Sequence, residues 1–194
     1  MDFDAAAIAD LQARLTAGWH AQAPAAMGEG LALLVAENHL HNFSLWHEED
    51  LARRDDLGFE AVYRSKRKID RFNQERTNFI EALDQAFVAA LQPTRSGCPL
   101  NSETPGMIVD RLSILALKEY HMREESTRTD ASGAHRENCA AKLVRLGCQR
   151  AELTQCLGEL MADVAARRRS FAIFHQFKMY NDPDLNPQLY RPRV

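Results

Sequence analysis

The chain has 194 residues, enough for one domain with a sizeable core, and 45% of them are hydrophobic against 26% charged. A formal net charge of -3 removes any general electrostatic case for nucleic-acid binding. No apolar run reaches the ~18 residues of a membrane span, and the start, MDFDAAAIADLQ, lacks the basic region of a secretory leader. Four cysteines (Cys98, Cys139, Cys148 and Cys156) without a Cys-x-x-Cys pair are the pattern of free thiols in a cytoplasmic protein.

The first predicted helix runs from about Asp4 to His20, with Ile8, Leu11, Leu15 and Trp19 on one face. Pro24, Gly28 and Gly30 interrupt it, and a second helix follows from about Met27 to Arg54. A third starts after Gly58 and continues to about Leu91; its apolar stripe includes Ile69, Phe72, Phe79, Leu83 and Phe87. The segment QPTRSGCPLNSE reads as a loop. Thr104-Pro105 then opens a fourth helix, with a hydroxyl at the cap and proline at the first helical position, ending between Arg123 and Thr127. The fifth runs from about His135 to past Phe171. Its seam of Cys139, Leu143, Leu146, Leu153, Leu157, Leu160 and Val164 resembles a coiled coil interrupted by Arg150. Residues 178–194 read as an irregular, proline-rich tail that folds back over the bundle. No segment alternates with period two, so the expectation is an all-α antiparallel bundle of about five helices forming one domain over residues 1–194.

The second helix breaks its own pattern. Apolar residues lie nearly all round it, yet Glu37, His41, Ser44 and Glu48 fall at i, i+4, i+7 and i+11 in one narrow arc. Burying unpartnered charge costs several kcal/mol, so the arc must meet solvent, a cleft or partners. The fourth helix repeats the pattern with Asp110, Arg111, Lys118 and His121, and the third adds Asn73 and Arg76 beside its apolar stripe. Convergence of these groups on one polar site is the expectation, and a satisfied structural ion network is its alternative.

Two chemistries suit such a site. Glu37 and His41 are candidate metal ligands, although neither Glu-x-x-His nor His-Glu-x-x-His is present. Arg76, Arg111 and Lys118, with Asn73 and His121, are candidates to hold a small anion, leaving His41, Glu48 and Asp110 for acid–base catalysis. Ser102 and Thr104 read first as helix caps. No motif names a cofactor.

The strings HNFSLWHEEDLAR (41–53), KIDRFNQERTNFIEALD (68–84), NSETPGMIVDRLSILALKEYH (101–121) and FKMYNDPDLNP (177–187) resemble the motif blocks of a bacterial family, DUF4254. That resemblance carries no activity, cofactor or catalytic residue with it. The leading expectation is therefore a bundle that binds or processes a small anionic, phosphorylated ligand. Its rivals are an interaction protein forming a homodimer through its helices and a metal-dependent hydrolase.

Overall fold

A computed structural model describes residues 4–94, 97–175 and 184–190. Five long helices build it: α1 (Ala5–Ala21), α2 (Gly30–Ala52), α3 (Phe59–Leu91), α4 (Pro105–Thr127) and α5 (Gly133–Ala165), followed by one short turn of helix, α6 (Pro187–Tyr190). Among the described residues the only β feature is a single bridge between Leu100 and Ser170. No helix among them is long and apolar enough to cross a membrane.

Local chemistry sets the helix ends. Asp4 caps α1 by accepting from the Ala6 N–H at 2.9 Å, and Ser132 caps α5 by accepting from the His135 N–H at 3.2 Å. Thr104 accepts from the Met107 N–H at 3.2 Å while Pro105 opens α4. A second cap at this end comes from another helix. The Asp84 carboxylate of α3 accepts the Gly106 N–H at 2.7 Å. A Cβ on Gly106 would lie 2.5 Å from that carboxylate and 2.6 Å from the Ile80 carbonyl oxygen, so only glycine lets α4 approach so closely. A 3₁₀ turn (Asp55–Leu57) and Gly58, at φ 82°, divide α2 from α3.

The fifth helix is shorter than its pattern predicts. It ends at Ala165, not beyond Phe171. Arg167 adopts a left-handed φ of 60°, and the Arg168 N–H turns back to the Asp163 carbonyl at 2.8 Å. The Asp163 side chain also accepts from Arg168. No glycine or proline marks this stop, so the sequence conceals it. The chain then reverses: Asn101 N–H donates to the Ser170 carbonyl at 2.7 Å, Ser170 N–H to the Pro99 carbonyl at 2.9 Å, and Phe171 is buried.

The helix α4 packs against all four other long helices. It therefore forms the axis of the bundle. Val109, Leu112, Phe87, Leu157, Val164 and Phe171 belong to the main core around it. A smaller cluster, Trp19, Phe43 and Leu117, closes the other end. The seam of α5 is met by α4 within the chain, and Arg150 is accommodated rather than excluded. Its guanidinium donates to Glu119 on α4 at 2.9 Å and to the Ala9 carbonyl on α1 at 3.2 Å. Of the predicted tail, 178–194, residues 178–183 and 191–194 lie outside the described residues, and Pro187–Tyr190 form α6 rather than irregular chain.

Candidate functional site

Asp110 is the most heavily coordinated of the predicted residues. It sits on α4, 3% exposed. Its Oδ1 accepts from Asn38 Nδ2 at 3.1 Å, Asn42 Nδ2 at 2.8 Å and Arg76 Nε at 2.8 Å, and its Oδ2 accepts from Arg76 Nη2 at 2.5 Å. The fork of Arg76 matches the carboxylate in the bidentate manner, and this pairing raises the arginine pKa against the effect of burial. Three of the four donors converge on Oδ1 and one reaches Oδ2. Asp110 is thus placed to hold α2, α3 and α4 together.

The network continues inward. Asn42 also donates to Ser113 Oγ at 3.0 Å, and Ser113 Oγ lies 2.7 Å from His39 Nδ1. His39 Nε2 lies 2.9 Å from Thr16 Oγ1, whose hydroxyl donates to the Gln12 carbonyl at 2.9 Å. With Thr16 donating onward, His39 must donate through Nε2 and accept from Ser113 through Nδ1. Burial lowers the His39 pKa to about 3, so this ring is neutral. The sequence pattern missed Asn38, His39 and Asn42 because its test was charge. Neutral amides and a neutral imidazole are far cheaper to bury once hydrogen-bonded.

The other predicted residues separate. His41 lies on the α2–α3 seam, stacked 5.3 Å from Phe79 and tilted against Phe72 at 5.9 Å. Its pKa is lowered by burial, against the pull of Glu75 and Glu37. Glu48 accepts from Lys68 at 2.8 Å. Thus His41 and Glu48 meet α3, whereas Asp110 is held among Asn38, Asn42 and Arg76. Arg111 is engaged by both oxygens of Glu103, at 2.7 and 2.6 Å. Among the described residues, Glu37 and His41 are in no group of three close metal-ligating side chains.

The five predicted ligand-binding residues nevertheless line three adjoining depressions on one face, where α4 is open between α2–α3 and α5. Asn73 and Arg76 line the first, with Asn42, Trp46 and Arg53. Lys118 and His121 line the second, a groove of about 550 Å³. Arg111 and Lys118 line the third, of about 470 Å³. Trp46 borders the first and second, Ile114 the first and third, and Lys118 the second and third. In the second groove Trp46, Met122 and Leu146 form an apolar floor, and Lys118, Lys142 and Arg145 stand around it. None of these three cations is in an ion pair with a described carboxylate. The carboxylate at the same rim, Glu125, is engaged by Arg128 and His135.

At the end of this face three histidines meet. His20 closes α1, His47 lies on α2 and His121 on α4, and one ring nitrogen of each lies within 4.8 Å of the others. His20 and His47 escaped the sequence pattern because no helical period connects residues on different helices.

Among curated proteins and solved structures none matches the chain. The family model for the protein of unknown function DUF4254 matches residues 32–173, which span α2 to α5 and contain the Asp110 network, Trp46 and two of the three histidines. The chain therefore belongs to the DUF4254 family.

Proposed function

We propose that this protein binds a small organic anion with an apolar body in the Trp46–Lys118 groove. The observation that carries the reading is the combination there of an apolar floor with three cations that no described carboxylate neutralises. Such a groove suits a ligand whose ring or chain lies on Trp46, Met122 and Leu146 while its phosphate or carboxylate meets Lys118, Lys142 and Arg145. Of the residues expected to hold an anion, Lys118 and His121 border this groove, whereas Arg76 and Arg111 already have carboxylate partners. The four cysteines are free thiols, which supports a cytoplasmic setting.

The test uses 1-naphthyl phosphate, 1-naphthol and inorganic phosphate as probes, titrated by tryptophan fluorescence and calorimetry. The reading expects naphthyl phosphate to bind more tightly than either fragment. Lys118→Glu should weaken it roughly tenfold, by reversing one charge of a charge-assisted contact. Equal binding of naphthol, or affinity unchanged in the Lys118→Glu, Lys142→Glu double variant, would rule the groove out. A second copy of the chain is the rival occupant. Dimer dissociation in the same double variant, measured by sedimentation, would favour that occupant.

A further inference from the structure

We infer that His20, His47 and His121 form a binding site for a divalent transition-metal ion of the zinc class. The geometry of the two more enclosed rings carries the argument. His20 Nδ1 lies 2.7 Å from the Thr16 carbonyl oxygen. A carbonyl can only accept, so Nδ1 bears the proton and Nε2 bears the lone pair. His121 Nδ1 lies 3.0 Å from Glu124 Oε2, which imposes the same assignment on its ring. Both Nε2 atoms are buried, and neither has a hydrogen-bond partner. Leaving a buried acceptor unsatisfied costs about 1–3 kcal/mol, and here two such rings lie 4.9 Å apart between centroids, with a third imidazole 5.3 and 5.9 Å from them. A metal cation accepts all three.

The surroundings fit the same chemistry. A metal-bound imidazole characteristically donates its other N–H to a carboxylate or backbone carbonyl, which fixes the ring and strengthens the ligand. Glu124 and the Thr16 carbonyl are those two partners. The rings are also held by stacking: Tyr120 lies 4.0 Å from His20, and Trp46 lies 4.7 Å from His121 with the planes 7° apart. Phe43 meets His20 and His47 edge-on at 4.9 and 4.5 Å. Asp50 and Glu124 supply negative charge to both His47 and His121.

Tetrahedral zinc with bonds of ~2.0–2.1 Å sets its nitrogens roughly 3.3 Å apart. The three here, within 4.8 Å of one another, reach that spacing by small side-chain rotations. Three imidazoles favour zinc, cobalt or nickel over magnesium or calcium, and they leave a fourth position open. All three rings are half-buried.

The site is tested on the full chain after treatment with chelator, titrated with Co²⁺ and Zn²⁺ by absorption and calorimetry, with Mg²⁺ as control. One equivalent of each transition metal should bind, Co²⁺ should give the intense visible bands of tetrahedral coordination, and Mg²⁺ should not compete. X-ray absorption of the zinc form should show a first shell of nitrogen and oxygen with imidazole scattering. His47→Gln, checked for folding by circular dichroism, should lose stoichiometric binding. Glu124→Ala should weaken binding roughly 10–100-fold, as loss of an orienting partner does. Cys139, whose sulfur lies 3.4 Å from His135 Nε2, is a competing place for zinc, so Cys139→Ala should leave binding intact. Sulfur in the first shell, a folded His47→Gln protein that binds as before, or no transition-metal binding at all would overturn the assignment.

Discussion

Two buried ionisable side chains give the fold opposing responses to acid. Asp84 is 2% exposed, and burial raises its pKa from 3.8 to about 6 even though the Gly106 N–H and Thr104 hydrogen-bond to it. The folded state therefore holds this proton more tightly than the unfolded state. The resulting stabilisation is complete below pH 3.8 and is lost as the pH rises through about 6. His39 is the reverse case. Burial lowers its pKa from 6.5 to about 3, so its contribution is present above pH 6.5 and is lost as the pH falls towards 3. Between pH 3.8 and 6 the two slopes cancel. Asp84→Asn removes one of them. That variant should lose stability on acidification more steeply than the parent, by up to about 1.4 kcal/mol per pH unit. Urea unfolding at pH steps across the interval measures the difference, and parallel profiles would show that Asp84 is ionised in the fold.

Between helices, the Asp110 network is a joint. Its donors come from α2 and α3, its acceptor from α4, and His39 extends it to α1. Asp110→Ala would strand a guanidinium and two amides. Removing one partner of a buried pair costs about 3–5 kcal/mol, and Arg76, 28% exposed, recovers part of that from water, so about 3 kcal/mol is expected. Adding Arg76→Ala should cost less than the sum of the two single changes, a coupling that a double-mutant cycle in urea measures. Strict additivity would mean that the two side chains do not act as a pair. This joint also shows what the sequence reveals and what it hides. The caps at Thr104 and Gly58 are local, so the boundaries of α3 and α4 are legible. The charged arcs of α2 and α4 are legible as periodicity, but a period does not say which neighbour a face meets. His41 and Glu48 meet α3, while the less conspicuous Asn38, His39 and Asn42 turn to α4 and carry the buried network. The histidine trio is assembled by packing alone, and the resemblance to the family's motif blocks supplies no role that would have singled it out.

Across the whole molecule, the segment after α5 fastens the end of the bundle at which α4 begins. The left-handed turn at Arg167 sends the chain back toward the loop that precedes α4, where Ser170 exchanges hydrogen bonds with Pro99 and Asn101. Two such bonds at a loop edge contribute modestly. The anchor is Phe171, 2% exposed and part of the main core. Its ring belongs to the same core cluster as Phe87 of α3, Leu112 of α4 and Val164 of α5. Phe171→Ala would leave a cavity at that junction and should destabilise the fold by about 3–5 kcal/mol. The loss should be local before it is global. Amide exchange at Asn101 and Ser170 should accelerate more than exchange in the middle of α4, because their bonds depend on the returning segment and those of α4 do not. If Phe171→Ala instead accelerated exchange uniformly, the returning segment would be an integral part of the cooperative core rather than a clasp upon it.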